Sequence, residues 1–117
     1  MNFSVSLKTN YAFRRLYSKG RSVATPLLVV YVLKNRLGAR NRLGITVSTK
    51  LGKAVVRNRV RRRLREIYRL NEAQLLPGRD VVIVARVRAR DAAYKDLERD
   101  FLALCRRLDL LRQEGER

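Results

Sequence analysis

The sequence predicts a small α+β or α/β fold in which helices pack against a sheet as a two-layer sandwich. Two segments, 52–69 and 93–111, repeat their apolar residues at helical spacing. Three shorter segments, 27–33, 42–48 and 80–86, are apolar or alternating and rich in β-branched residues, which is typical of strands. A chain of 117 residues is long enough for one modest core, so residues 1–117 are predicted to form a single domain.

The two ends of the chain are predicted to be the least ordered parts. Residues 1–7 are assigned to a flexible arm, and residues 113–117 to a frayed tail. After the arm, Thr9 or Asn10 is suited to cap a short helix that runs to about residue 18, with Gly20 after its end. The large apolar side chains of this helix share one face: Phe13, Leu16 and Tyr17.

The three strand-like segments differ in how they distribute their side chains. Residues 27–33 and 80–86 are nearly continuous apolar runs, as expected for internal strands. A basic surface loop is predicted over 34–42. Residues 42–48 alternate bulky side chains with small ones, so the face with the small side chains is predicted to floor a shallow groove: Gly44, Thr46 and Ser48. Asp91 is a plausible cap for the last helix.

The helix predicted over 52–69 has one apolar and one basic face. Six arginines lie from Arg57 to Arg65 with no acidic residue among them. Like charges at this spacing repel, whereas a polyanion would relieve the repulsion, and the planar guanidinium fork matches phosphate oxygens. The alternative is a merely solvated face. The predicted core side of the helix comprises Val56, Val60, Leu64, Ile67 and Tyr68.

Charge is segregated along the chain. There are 28 Lys and Arg against 10 Asp and Glu, and no acidic residue precedes Glu66, so residues 1–65 carry +17 of the net +18. This asymmetry predicts a nucleic-acid partner, with an anionic membrane surface as the alternative. A single cysteine and the absence of a long apolar run predict a cytoplasmic location and no membrane-spanning segment. Nucleic acid is the preferred partner, and no membrane partner is expected.

The sequence offers little for catalysis by side chains. It contains no histidine, which excludes histidine acid–base chemistry, and one cysteine cannot supply a structural zinc site. Asp96 and Asp100 share a helix face but alternate with Lys95 and Arg99, which favours a charge-paired surface over a metal site. Cys105 is predicted to pack in the core. No catalytic and no metal-binding residue is therefore predicted.

The segment 47–66, VSTKLGKAVVRNRVRRRLRE, resembles the signature of the bacterial ribonuclease P protein subunit. The likeness extends over about residues 7–111 and includes the first helix and the strands at 42–48 and 80–86. It implies the element order α-β-β-β-α-β-α, with a four-stranded sheet completed by a short strand near residues 21–24. It also implies a left-handed crossover through the arginine-rich helix, although a parallel strand–helix–strand unit is ordinarily right-handed.

The resemblance implies that the chain is a subunit of an endonuclease that removes the 5′ leader from precursor tRNA. The catalytic RNA performs the hydrolysis with Mg²⁺, and the protein binds that RNA and the leader. Aromatic side chains suit a single-stranded leader because every base has a π face. The residues implied to dock on the catalytic RNA are Lys50, Lys53, Arg57, Asn58, Arg59, Arg61, Arg62 and Arg65. The residues implied to line the leader cleft are Phe13, Arg14, Tyr17 and Tyr31.

Several alternatives remain open from the sequence. The three aromatic residues are also suited to be ordinary core residues, and Arg14 to be a plain surface arginine. Thr49 stands where the family often has a second lysine, and Arg63 where it has a less charged residue. A ribosomal or general RNA-binding module would share the charge but has no reason to carry the long motif. A helix-turn-helix DNA-binding regulator needs a helix, not a strand, before its recognition helix. The sequence does not fix the type of RNA subunit, the metal positions or the oligomeric state, for which a monomer is expected.

Overall fold

A computed structural model describes residues 2–112 and contains three α-helices on a five-stranded sheet. Short 3₁₀ turns lie at Thr49–Leu51, Glu72–Gln74 and Val87–Asp91. The helices are α1 (Asn10–Lys19), α2 (Ala54–Asn71) and α3 (Tyr94–Arg107). The strands are β1 (Ser4–Ser6), β2 (Arg21–Ala24), β3 (Leu28–Lys34), β4 (Asn41–Val47) and β5 (Arg79–Ala85).

The strands are arranged in the order β1-β4-β5-β3-β2, with β5 at the centre. β4 runs parallel to both β1 and β5, whereas β3 runs antiparallel to β5 and β2. The strand near residues 21–24 that the family resemblance implied is therefore confirmed as β2. The helix α2 connects the adjacent parallel strands β4 and β5, and the left hand of this crossover stays a prediction.

The sheet is covered on both faces, so the expectation of two layers is wrong. Val81 and Ile83 of β5 face a large core shared with α2 and α3, whereas Val82 faces a smaller cluster with Ala12 and Leu16 of α1. The reason is that β5 is apolar on both sides, because successive side chains of a strand point to opposite faces. The short helix α1 therefore covers the face opposite to α2 and α3.

The fifth strand arises from the segment predicted to be a flexible arm, which is a second correction. Ser4–Ser6 pairs in parallel with residues 41–43, and Leu7 is buried. The buried carboxylate of Glu72 accepts hydrogen bonds from the backbone N–H groups of Asn2 (2.6 Å) and Phe3 (3.3 Å). This anchor is about seventy residues away in sequence, so no local pattern in the first residues could reveal it.

The two predicted helix caps have different outcomes. The Thr9 side chain accepts a hydrogen bond from the backbone N–H of Ala12 (3.1 Å), which confirms it as the cap of α1. Asp91 does not cap α3, because it ends a 3₁₀ turn and its carboxylate lies 3.4 Å from the guanidinium of Arg90. The helix begins later, at Tyr94, with no side-chain cap.

The remaining findings concern Cys105, membrane-spanning helices and the end of the chain. Cys105 is fully buried in the large core, as predicted. Within residues 2–112, no helix is both long and apolar enough to cross a membrane. The predicted tail at 113–117 lies outside the described residues.

Candidate nucleic-acid interface

The helix α2 is divided into a buried and an exposed face, as its sequence predicts. Val60, Leu64 and Ile67 are almost completely buried, and so is Tyr68, while Val56 is half-buried. Most of the residues implied to dock on RNA lie on the opposite side. Arg57 and Arg61 are half-buried, and the exposed members are Lys50, Lys53, Asn58, Arg59, Arg62 and Arg65.

The arginines of this face make few contacts, and none of those contacts neutralises their charge. Arg57 donates to the carbonyl of Gly52 (3.2 Å), and Arg61 donates to the amide oxygen of Asn58 (3.1 Å). Arg59 reaches the carbonyl of Arg90 at 3.4 Å. Within residues 2–112, no carboxylate forms a salt bridge with any arginine from position 57 to 65. The face therefore keeps its positive charge and is available to an anion.

The 3₁₀ turn before α2 and the first turn of α2 add positive potential at the start of the arginine face. Leu51 is fully buried and anchors a 3₁₀ turn, which Ser48 caps by accepting from the N–H of Lys50. Gly52 then has φ +136°, a backbone conformation that residues with a side chain rarely adopt. The first turn of α2 has no side-chain cap and no acidic residue, so its free N–H groups add to the positive potential.

The three aromatic residues implied for the leader cleft meet on the other face of the sheet. The rings of Tyr17 and Tyr31 are 4.8 Å apart in an edge-to-face arrangement, and those of Phe13 and Tyr17 are 6.3 Å apart. Tyr17 is 39% exposed, and the other two rings are half-buried. Arg14, the fourth implied residue, is exposed on α1. The aromatic cluster is therefore packed on one side and accessible on the other, and its binding role stays a prediction.

Gly44 and Thr46 of β4 form the floor beneath this cluster, as the alternation in the sequence predicted, whereas Ser48 follows β4 and caps the next 3₁₀ turn. A Cβ atom at Gly44 would lie 2.6 Å from the Phe13 ring, so only glycine permits this approach. The hydroxyl groups of Tyr17 and Thr46 are 3.0 Å apart and share a hydrogen bond. Thr46 was not among the predicted cleft residues, although it was predicted to floor a groove.

The arginine face and the aromatic cluster meet at one edge of the sheet. The strand β1 covers β4 only as far as Leu43, where the N–H of Leu7 donates to the Leu43 carbonyl (2.8 Å). Beyond this point a groove of about 220 Å³ opens, lined on one side by Phe13 and on the other by Arg61 and Arg65. The two surfaces predicted separately from sequence are therefore continuous, which the sequence did not reveal.

Comparison with known proteins identifies the family of this chain. The family model for Ribonuclease P matches residues 1–109. The chain belongs to the ribonuclease P protein family. The curated Ribonuclease P protein component of Alkaliphilus metalliredigens is 43% identical over 111 residues, which are 95% of this chain and 99% of that relative. The resemblance of the segment 47–66 to this family is thus confirmed.

Solved structures of ribonuclease P proteins share the fold as well as the sequence. The Staphylococcus aureus RNase P protein superposes with a TM-score of 0.84 at 34% identity, over 92% of this chain and 97% of that structure. The RNase P protein from Thermotoga maritima gives a TM-score of 0.79 at 30% identity, over 87% of this chain and 96% of the other. The α+β class predicted for this ribonuclease P protein is therefore confirmed, with five strands in place of four.

The acidic groups described below form ion pairs with arginine, and the one thiol of this ribonuclease P protein is buried. Asp80 is buried and accepts hydrogen bonds from two guanidinium nitrogens of Arg42, at 2.8 and 2.6 Å, and this hydrogen-bonded pair raises the pKa of Arg42. Burial raises the pKa of the Cys105 thiol to about 12, so it stays protonated. Arg99 bridges Asp96 (3.1 Å) and Asp100 (3.4 Å), which confirms the charge-paired surface. Among residues 2–112, no three His, Cys, Asp or Glu side chains are placed to hold a metal ion.

The two positions that depart from the family pattern lie around the arginine face. Thr49 is exposed in the 3₁₀ turn before α2, beside Lys50. Arg63 is half-buried at the boundary between the apolar and basic faces of α2, where its sequence position placed it. A long arginine stem can cover apolar surface while its head reaches solvent, so Arg63 fits this boundary.

Proposed function

We propose that this protein docks on the RNA subunit of ribonuclease P through α2 and holds the 5′ leader of precursor tRNA against the aromatic cluster. Membership of the family makes the chain a protein component of this tRNA-processing ribonucleoprotein. The observation that supports the residue-level proposal is the unpaired arginine face that continues into the aromatic cluster. Phosphates on one side and stacked bases on the other would satisfy both surfaces.

The docking surface is proposed to act mainly through charge. Arginines pair with phosphate oxygens in two places, and the neighbouring lysines act as point charges. Each neutralised phosphate releases counterions, so binding should weaken steeply with salt. Docked in this way, the protein would lower the repulsion between the RNA subunit and an incoming leader, since both are polyanions. The proposed contacts are Lys50, Lys53, Arg57, Asn58, Arg59, Arg61, Arg62 and Arg65.

The leader is proposed to lie along the face of the sheet beside α1. Base stacking on an aromatic ring tolerates any sequence, as a general processing enzyme requires. Tyr17 offers the most accessible ring of the cluster, and Arg14 is exposed on the same helix for a backbone phosphate. Leader binding would therefore combine a few stacks with a phosphate contact.

Hydrolysis is proposed to be the work of the RNA subunit with Mg²⁺. The residues described here do not fit a magnesium site of their own, because Asp96 and Asp100 are bridged by Arg99 and no three His, Cys, Asp or Glu side chains come together. The buried Asp80 is bound by Arg42. The metal is therefore assigned to the RNA. The contribution proposed for the protein is to bind and position the two RNAs.

Reconstitution tests this proposal directly. The purified protein alone is expected not to cut precursor tRNA, whereas its addition to a ribonuclease P RNA should lower the Mg²⁺ concentration needed for cleavage. A general RNA-binding module would bind the RNA without changing the Mg²⁺ requirement. Cleavage at the mature 5′ end by RNA-free protein would contradict the assignment of catalysis to the RNA.

A further inference from the structure

A second group of positive side chains lies at the far end of the sheet from the arginine face. Lys19 ends α1, Arg21 begins β2, Lys34 ends β3 and Arg79 begins β5. We refer to these four residues as the strand-end cluster. They line one groove of about 280 Å³, together with the chain that follows α3 at residues 108–110. Three of the four are exposed and Arg79 is half-buried.

The strand register forces these charges together. Lys34 and Arg79 are direct partners across the antiparallel β3–β5 ladder, and Arg21 pairs with Val32 on the same face of the neighbouring strand. Adjacent strands are only about 4.8 Å apart, and like charges directly opposite each other are destabilising. The arrangement resembles that of α2, where repulsion between cations is also left unrelieved.

Little negative charge offsets this cluster within residues 2–112. The one acidic residue of the groove is Asp109, which lies 3.9 Å from Arg21 with both side chains well exposed. Asp80, next to Arg79 in sequence, points to the opposite face and is bound by Arg42. The guanidinium of Arg79 donates instead to the carbonyl of Pro77. The groove therefore keeps a net positive charge.

The strand-end cluster is separate from the docking face of α2. Arg79 lies at the start of β5, whereas α2 leaves from the end of β4, which runs parallel to β5. Six residue steps of a strand span roughly 20 Å. The cluster also spreads over β5, β3 and β2, whereas α2 packs against β4. Arg65, on the later part of the docking face, lies beside Leu43 at the β1–β4 edge, so strand order separates it from the cluster on β5, β3 and β2.

We propose that the strand-end cluster is a second RNA-binding surface, which holds the phosphate backbone of a segment of the RNA subunit distinct from the one bound by α2. Lys34 and Arg79 alternate to the sheet face on which α2 packs, and not to the face of the aromatic cluster, which favours the RNA subunit over the tRNA. This inference rests on the proposed function, because it takes RNA as the partner. Phosphates would relieve the repulsion between Lys34 and Arg79 and fit a concave, positively charged groove. A membrane surface fits poorly, because the apolar residues that line the groove are buried or half-buried: Val32, Leu33, Leu108 and Leu110.

The test removes charge while keeping side-chain length. The triple variant Lys19→Gln, Arg21→Gln, Lys34→Gln leaves Arg79 in place because of its hydrogen bond to Pro77. The matched control, Arg88→Gln, Lys95→Gln, Arg99→Gln, removes three exposed positive charges outside both surfaces. Binding to the RNA subunit alone, and binding of reconstituted holoenzyme to precursor and mature tRNA, are measured over a salt series.

The cluster variant should bind roughly 10- to 100-fold more weakly at about 0.1 M salt, with a log–log salt slope flatter by about one to two contacts. Weaker binding of the RNA subunit supports the proposal. Equal loss on precursor and mature tRNA, with binding of the RNA subunit unchanged, would assign the cluster to the tRNA body and overturn it. Equal effects of the cluster and control variants, or no effect of either, would overturn it.

Two readouts separate this inference from a structural role and from the proposed function. Thermal unfolding at low salt should show the cluster variant to be about as stable as the parent protein, because the repulsion removed offsets the long contacts of Arg21 with the Leu108 carbonyl (3.4 Å) and with Asp109 (3.9 Å). A cluster variant that loses stability and affinity together would contradict the proposal. In parallel, replacing Arg61, Arg62 and Arg65 tests docking by α2. If only that variant weakens binding, the second surface is wrong and the proposed function stands.

Discussion

The helices α2 and α3 pack on the same face of the sheet, yet their outer faces are built differently. Both bury an apolar stripe in the large core. On α3, Arg99 lies between Asp96 and Asp100 and bridges them. On α2, no carboxylate within residues 2–112 pairs with an arginine before Arg69, which binds Glu66 at the helix's later turns (2.6 Å). The comparison teaches that pairing, not the number of charges, distinguishes a solvated helix face from a candidate interface.

Substitutions in the buried faces of the two helices should lower the free energy of unfolding by similar amounts, and these are the largest expected effects. Leu64 of α2 and Leu104 of α3 are both fully buried. Replacing either with Ala should lower the free energy of unfolding by about 2–5 kcal/mol, because each leaves a cavity in the same core. Denaturant titration of each variant measures the loss. A small loss for Leu64→Ala alone would mean that α2 contributes less to the core than its burial indicates.

Removing positive charge from the outer faces should weaken RNA binding for α2 but change it little for α3. Replacing Arg61, Arg62 and Arg65 of α2 with Ala should weaken binding to the RNA subunit by about 100-fold at ~0.1 M salt, since each lost phosphate contact flattens the salt slope by roughly 0.7–0.9. The matched α3 variant, with Lys95, Arg99 and Arg106 replaced, should change affinity little. Filter binding or fluorescence anisotropy over a salt series checks both. Equal losses would mean that only total charge matters.

The aromatic cluster between α1 and β3 is both packed and accessible, so substitutions there separate base stacking from the charge effects of α2. Phe13→Ala and Tyr17→Ala should each weaken holoenzyme binding to precursor tRNA by about 1–3 kcal/mol, with little change in salt slope. Mature tRNA has no leader, so its affinity should not change. Arg14→Ala should instead flatten the salt slope by up to about one contact. Equal losses on both RNAs would assign the rings to the core alone.

The smallest expected effect concerns Glu72, a buried carboxylate just after α2. Burial opposes its charge, but hydrogen bonds from Ser4 and from the N–H groups of Asn2 and Phe3 outweigh burial and lower its pKa below 4.5. A carboxyl group whose pKa is lower in the folded state stabilises the fold above its unfolded pKa, and this contribution disappears as the pH falls through the folded pKa. Glu72→Gln should therefore reduce stability at pH 7 by about 1 kcal/mol.

The pH dependence provides the control for this prediction. Between pH 7 and about pH 3, the parent protein should lose the Glu72 contribution, so the stability difference from Glu72→Gln should shrink as the pH falls. Thermal unfolding across this range measures it. A difference that stays constant with pH would show that the amide loses packing and hydrogen bonds but no charge-dependent stability.

The sequence alone determined the features that depend on local periodicity and on residue type. The faces of α2, the apolar stripe of α3, a cap of α1 at Thr9 or Asn10 and the small residues of β4 all follow from spacings within a few residues. The segregated charge and the segment 47–66 indicated RNA and the family before any contact was known. These predictions succeeded because helical and strand periods are written into short stretches of chain.

Only the tertiary structure decided which distant parts meet. The strand β1 depends on Glu72, some seventy residues away, and the coverage of both sheet faces depends on where α1 packs. The groove shared by Phe13 and Arg65, and the facing cations Lys34 and Arg79, result from strand order and register. Such pairings leave no local pattern, because they are fixed by burial and hydrogen bonding between segments that the sequence keeps far apart.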